Sequence, residues 1–405
     1  MLTYTRDSKI VFNSSRCCQC GVCVSACPYG AIAPHTGRRQ YELVIDPGKC
    51  TECQLCIRVC PAHALSEARI AEDTLPRALG FHLAAARDMQ VRRFASSGGV
   101  ARVLLCNGIR ERELSAVYTL LFTNVTVDGA SNLVSVGGEA MGTWVQSPMD
   151  GFKIPTSLYR PVLWGAGLRE GLPRAGRVLL VGLPCQLRGA KALLESLRLD
   201  VEPLYVSLFC RKTKEFGYSR YILQMARCED TPTYHVLYRG DGWPGRFRVL
   251  SAGRTCDVGP FLYHAQCWNV PGCRYCADCI GSGIADLTLG DPWGIISESN
   301  EPAGMTLVYV WTRKGRELLD WCQKHLDMRP LTVGQVEHHF DIRATRAKEA
   351  LVNRRLRSRT LHPPLPFEWR QLKSRIAEHL LTFHPHSRVM KALLRSRTIL
   401  KDRTI

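Results

Sequence analysis

Apolar positions along the chain fall into two rhythms. Arg177-Val178-Leu179-Leu180-Val181-Gly182 is a continuous apolar run of strand length, as expected for a strand buried on both faces. After Leu183-Pro184-Cys185-Gln186 the rhythm becomes that of an amphipathic helix, from about Leu187 to Leu197. Pro203 to Phe209 and Met305 to Trp311 read as further apolar strands, and Asp286 to Gly294 as a strand running into a loop. Gly315 to His325 reads as a helix. Ala116 to Val127 alternates apolar and polar positions, the pattern of strands. Val100 to Cys106 is an apolar helix fed by a Ser-Ser-Gly-Gly loop, with Ser96 or Ser97 as the expected N-cap. Nearer the N-terminus, residues 1–12 suggest one leading strand and Tyr41 to Asp46 a short hairpin strand. The Ala/Leu-rich stretch from Ala64 to Arg87 suggests a helical connector. The alternation of strands and helices from about residue 100 onward implies an α/β body.

Cysteine spacing adds chemistry to this pattern. Cys17, Cys20, Cys23 and Cys27 precede Pro28, and Cys50, Cys53, Cys56 and Cys60 precede Pro61. Both runs read C-x2-C-x2-C-x3-C-P, the spacing of bacterial two-cluster ferredoxins. Three thiolates spaced by two residues line one loop and cap three irons. The fourth reaches the cluster of the other run. One 4Fe-4S cluster is therefore expected on Cys17, Cys20, Cys23 and Cys60, and the other on Cys50, Cys53, Cys56 and Cys27. Cys18 is expected to be a bystander. Paired zinc knuckles would favour separated C-x2-C halves and histidine, and neither run has an internal His.

At 405 residues the chain calls for two or three domains. Its 19 cysteines could belong to a secreted disulfide scaffold, but Met1 to Phe12 is polar and lacks the apolar core of a signal peptide. There is no run of 18 apolar residues to span a membrane. A cytoplasmic, reducing location is the expectation. Net charge is +18, and residues 342–405 hold 16 Lys or Arg against 4 Asp or Glu, so +12 of it lies there. Such a tail suits a solvated helical surface, peripheral contact with anionic lipid, or an acidic partner. Nucleic acid is disfavoured, because no aromatic stacking platform is interleaved with the charge.

Further motifs lie between the ferredoxin runs and the tail. Arg93 and the loop Ser96-Ser97-Gly98-Gly99 could present backbone N–H groups and charge to a phosphate. Cys185 opens a helix after a buried strand, where it could be nucleophile, metal ligand or core residue. Cys210 ends the next strand, and Cys267, Cys273, Cys276 and Cys279 crowd into thirteen residues. Tyr238-Arg239-Gly240-Asp241-Gly242-Trp243-Pro244-Gly245 is a rigid turn-rich stretch.

Taken in order, several stretches resemble the beta subunit family of coenzyme F(420)-reducing hydrogenases and dehydrogenases, which includes 7-hydroxymethyl-chlorophyll reductase. They are the two ferredoxin runs, Ser97-Gly98-Gly99, Val145-Gln146-Ser147, Gly182 to Gln186, Phe209-Cys210, Arg239-Gly240 with Gly242 to Gly245, Cys273-x2-Cys276, and Gly290-Asp291-x-Trp293-Gly294. The resemblance covers about residues 15–325. It implies a flavin, usually FAD with FMN the lesser choice, bound in the α/β body. Arg93, Ser96, Ser97, Gly98, Gly99, Gln146, Arg239, Gly242, Trp243 and Asp291 are the expected contacts. It further suggests a third 4Fe-4S cluster on Cys185, Cys210, Cys273 and Cys276, with Cys279 or Cys267 as a substitute ligand.

The expected architecture is thus an α+β ferredoxin-like two-cluster module (1–70), an α/β flavin-binding body (71–341) and a basic, mostly helical C-terminal tail (342–405). The expected activity is that of an iron–sulfur flavoprotein oxidoreductase. It would link a ferredoxin-type donor or coenzyme F(420) to a small organic substrate, either as a monomer or as a homo-oligomer. The alternative is an electron-transfer subunit that feeds a partner enzyme. His235, Tyr263, His264 and Asp291 lie near the motifs as proton-donor candidates, with no sequence reason to choose among them.

Overall fold

A computed structural model of the chain describes residues 2–4, 10–12, 16–64, 75–111, 113–127, 133–148, 153–228, 234–251, 254–260, 267–276, 278–337, 339, 375–376 and 378–381. The leading segment is two strands, not one. β1 (Leu2–Tyr4) and β2 (Ile10–Phe12) pair antiparallel, and the polar run Thr5 to Lys9 lies between them in sequence. Then come α1 (Val22–Ala26), β3 (Ile32–Thr36), β4 (Tyr41–Ile45), α2 (Leu55–Arg58) and α3 (Pro61–Ala64). The strands form an antiparallel sheet in the order β1-β2-β4-β3.

The body begins with β5 (Gly80–Ala86), α4 (Met89–Arg93), α5 (Val100–Arg110), β6 (Ala116–Val127), β7 (Leu133–Val145), β8 (Ala175–Gly182), α6 (Pro184–Leu197), β9 (Asp200–Leu208) and α7 (Phe216–Ala226). It continues through β10 (Tyr234–Leu237), β11 (Arg246–Ser251), β12 (Arg254–Pro260), β13 (Leu287–Gly290), β14 (Thr306–Val310), α8 (Arg313–Cys322), β15 (Leu326–Leu331) and α9 (Val333–Glu337). Eight strands make one sheet in the order β15-β5-β14-β13-β9-β8-β6-β7. Its centre, β13-β9-β8-β6, is parallel, and β7 and β14 flank it antiparallel. The apolar run in β8 follows from this position. Leu179 and Val181 face a core shared with α5 and α8, while Val178 and Leu180 face one shared with α6 and the module. β10, β11 and β12 form a separate antiparallel sheet against α7.

Where the sequence suggested a helix, Gly80–Ala86 is a strand between β14 and β15. Its alanines are good helix formers, but Ala84, Ala85 and Ala86 are fully buried. Their small side chains admit the loop at Gly98, whose Cβ, if present, would run into the Ala84 carbonyl. Packing overrides propensity here.

The module docks on the body through glycines. Val22 of α1 is buried against Gly165 and Gly189, where any side chain would meet it, and Gly165 N–H donates to Cys20 O at 2.7 Å. A second seam is charged. Arg39 bridges Glu215 at 2.6 Å and Glu378 at 3.1 Å, and Glu378 also accepts from Trp268 N–H at 2.6 Å. Glu378 belongs to a described fragment of the C-terminal segment whose Leu381 enters the core beneath α7. That fragment is helical, and the rest of the expected tail lies outside the described residues.

Candidate functional site: two cysteine loops and the body behind them

The eight ferredoxin cysteines have neighbours from both runs, as crossed ligation would need. Cys17 feels Cys20 and Cys60, and Cys23 feels Cys20, Cys17 and Cys60 and, more weakly, Cys56 of the other run. Cys56 feels Cys53, Cys27 and Cys50. Burial pushes the Cys17 thiol up to about 12, with the neighbouring thiols adding to the shift. A cluster held at Cys17 would have to supply the driving force for its deprotonation. Among the described residues no three His, Cys, Asp or Glu side chains are gathered as for a single metal ion. A cubane is held by sulfurs placed around its corners, so the two thiol groups fit that chemistry.

The two groups differ in surroundings. Gln19, Cys20, Gly21, Val22 and Cys23 are buried, whereas Thr51 to Gln54 are exposed, Cys53 among them. Gln19 is a residue that spacing could not single out. Its backbone N–H and its side-chain Nε2 donate to Cys17 Sγ at 3.4 and 3.3 Å, and its Oε1 accepts from Tyr41 N–H at 2.9 Å. In the other group, Ala31 N–H donates to Cys27 Sγ at 3.3 Å.

The inner loop abuts the body's own cysteines. Gly272 lies so close to the Cys17 carbonyl that a Cβ would collide with it, and Arg16 sits over the Tyr275 ring at 5.5 Å. Cys18, expected to be a bystander, is within hydrogen-bonding reach of both Cys185 and Cys20. Cys185 and Cys210 follow the adjacent parallel strands β8 and β9. Cys210 N–H donates to Cys279 O at 2.9 Å, and Thr213 N–H donates to Cys273 Sγ at 3.3 Å. Cys185, Cys210, Cys273 and Cys276 thus sit on adjoining elements beside the inner loop. Cys279 is fully buried, and Cys267 lies in the aromatic core with Trp268.

Most of the remaining motif residues form one knot beyond the carboxyl ends of β5 and β13. Arg239 is 2% exposed and binds Asp291 through both terminal nitrogens, at 2.8 and 3.1 Å. It also donates to Ser96 O at 2.6 Å. Trp243 and Trp293 each donate to Asp291 at 3.2 Å, and His339 Nε2 meets Asp291 O at 2.8 Å. The half-buried Asp291 carboxylate keeps Arg239 protonated despite its desolvation. Ser97 donates to Met305 O, and Gly98 N–H donates to Thr306 Oγ1 at 3.0 Å. Neither serine caps α5. Ser96 Oγ instead accepts from Ser157 N–H at 2.7 Å, and Gly99, at φ 82°, holds the cap position. Arg93 and Gln146 are exposed. Gly242 and Trp243 line the turn that closes over Pro302, whose carbonyl accepts from Trp243 N–H at 2.8 Å.

Two family models match the chain. A 4Fe-4S dicluster domain matches residues 8–64, and the C terminus of the coenzyme F(420) hydrogenase/dehydrogenase beta subunit matches residues 175–333. The chain is a 4Fe-4S ferredoxin domain fused to a coenzyme F(420) hydrogenase/dehydrogenase beta-subunit domain. No curated protein matches it. A solved chain of the F(420)-reducing nickel–iron hydrogenase complex from Methanosarcina barkeri shares its fold. That match has 18% identity and a TM-score of 0.50, and covers 72% of this chain and 95% of that one.

Within the beta-subunit domain, His235 is not among the residues bonded to Asp291. It lies in β10 with its ring on Phe122, and burial lowers its pKa to about 3. Tyr263 and His264 lie outside the described residues. Sequence reasoning passed over His339, which follows the last matched element and belongs to no motif. Burial lowers its pKa to about 4, and its Nδ1 is buried with no hydrogen-bond partner among the described residues. Among the described residues no helix is long and apolar enough to cross a membrane.

Proposed function

We propose that this chain is an iron–sulfur flavoprotein oxidoreductase linking a ferredoxin-type donor or coenzyme F(420) to a small organic substrate. A flavin supplies the junction between one-electron carriers and two-electron hydride chemistry. The exposed loop Cys50–Cys56, with Cys27, holds the outer cluster where a partner can reach it. The buried loop Cys17–Cys23, with Cys60, holds the inner cluster against the body. Cys185, Cys210, Cys273 and Cys276 hold a third cluster behind it. Gln19 and Thr213 donate to ligand sulfurs and so favour the more reduced, more negative state of each centre.

The orphaned His339 Nδ1 at the knot marks a polar position that a flavin would satisfy, which supports placing FAD there. Arg93, exposed and paired with Asp241 at 3.6 Å, and the exposed Gln146 would meet its phosphates and ribityl chain. Ser97, Gly98, Arg239, Trp243 and Asp291 hold the loops in register through the bonds they already make. The observation that carries this reading is the seating of Arg16-Cys17-Cys18 between Gly272 on one side and Cys185 on the other. A ferredoxin domain that were only tethered to its neighbour would not need a glycine at that contact.

Anaerobic purification with iron, sulfide and flavin counts tests it. About twelve irons and one flavin per chain support three clusters and a flavin. About eight irons remove the third cluster. The second reading, a subunit feeding a partner enzyme, is favoured by the likeness to a chain of a hydrogenase complex. Turnover of a small acceptor by the isolated, reconstituted chain excludes it.

A further inference from the structure

A cleft of about 1020 Å³ runs along α6 toward the opposite, amino-terminal edge of the parallel strands. Its size suits a small molecule rather than a protein segment. Arg188 and Lys191 of α6 and Arg198, which ends the helix in left-handed backbone, line it, joined by Arg77, Arg313 and Lys314. Two of these cations are already used. Arg188 pairs with Asp278 at 2.5 Å, and Lys314 with Glu202 at 2.9 Å. Arg77, Lys191, Arg198 and Arg313 have no carboxylate partner among the described residues. Of the lining carboxylates, Asp278 is consumed by Arg188 and by Gly281 N–H, and Asp286 accepts from Tyr205 N–H and Thr312 Oγ1. Asp286 is bonded only by neutral donors, which leave its charge uncompensated, so Asp286 and Glu195 together oppose the four free cations.

Two other features narrow the ligand. Thr312 caps α8 by accepting from Gly315 N–H, and Arg313 and Lys314, the first two residues of this ten-residue helix, line the cleft at its positive end. Trp311 also lines it. That ring stacks on Tyr309 at 5.6 Å and 13°, and its Nε1 donates to the buried Thr288 at 2.7 Å. The indole is therefore held rigid, with little entropy to lose on contact with another ring. We infer that this cleft binds a phosphorylated compound carrying a planar ring, of the nucleotide class, at a site separate from the flavin knot. The four free cations and the α8 N-terminus meet the phosphates, and Trp311 and Tyr205 meet the ring.

The test uses the full-length, cluster-loaded protein and titrates ADP, pyrophosphate and adenosine by calorimetry, with iron and flavin measured on every sample. ADP binds, adenosine and pyrophosphate bind more weakly, and Lys191→Glu, Arg198→Glu and Arg313→Glu each weaken ADP by about tenfold. Iron and flavin contents stay unchanged, and Arg254→Glu on β12 leaves binding intact. No heat with ADP up to about 1 mM overturns the site. So does an equal loss from Arg254→Glu, which would mark bulk charge. Pyrophosphate binding as tightly as ADP removes the ring and overturns the nucleotide class. Loss of flavin together with ADP binding places the flavin's own phosphates in the cleft and overturns a separate site.

Discussion

The two cysteine loops share a spacing and a backbone shape, yet they sit in opposite environments. Gln19 and Glu52 occupy matching positions and both take left-handed backbone, at φ 63° and 55°. Gln19 is 2% exposed and donates to a ligand sulfur, whereas Glu52 is exposed and has no amide to give. The inner loop is bound to the body by Gly165, Gly272 and Cys185, while the outer loop faces solvent. Local sequence sets the shape of each cluster loop, and the surface it meets sets its role. The inner loop is part of the body's fold, and the outer one is the proposed entry port.

The largest expected difference comes from deleting one ligand in each loop. Cys20→Ser removes a buried thiol from the core shared with α6, and should lower the thermal midpoint by about 10 °C. Cys53→Ser removes an exposed thiol and should cost a small fraction of that, with the inner-cluster EPR signal retained. Equal losses would erase the distinction. Next in size is Gly272→Ala, which drives a methyl into the Cys17 carbonyl. It should cost about 1–3 kcal/mol in denaturant unfolding and weaken magnetic coupling between the inner cluster and the third. Unchanged coupling would mean that the loop carrying Cys273 is not what holds the two centres together.

Acid stability gives a smaller effect. His235 and His339 have folded pKa values lowered to about 3 and about 4. Their contribution is present above the unfolded value near 6.5 and is lost as pH falls toward 4 and 3, because the unfolded chain takes up protons that the folded chain refuses. Stability should therefore fall as pH drops below about 6.5, and His235→Phe should flatten that slope by up to about one proton. An unchanged slope would show that His235 is not buried neutral. The smallest effect belongs to Gln19→Leu. Losing the donor to Cys17 should lower the inner cluster's reduction potential by tens of millivolts, while Glu52→Leu leaves the outer cluster nearly unmoved.

The ferredoxin domain was legible because ligation chemistry fixes the spacing of its cysteines, and the body strands because burial on both faces leaves unbroken apolar runs. β5 was not, since its alanines say helix and only β14 and β15 make it a strand. Cys18 looked idle because its contact with Cys185 spans 167 positions of sequence. The motif serines suggested a helix cap and a phosphate contact, yet they bond Ser157 and Met305, partners that only the folded sheet brings near. His339 carried no signal beyond being one of 12 histidines. In each case the missing information was tertiary.

The most direct test is reduction of bound flavin by a ferredoxin-type donor, followed by stopped flow in the wild type and in Cys53→Ser with the inner cluster intact. If the outer loop is the entry port, Cys53→Ser loses donor-driven flavin reduction but keeps reduction by a small chemical reductant. Donor-driven reduction at the wild-type rate in Cys53→Ser would contradict the account.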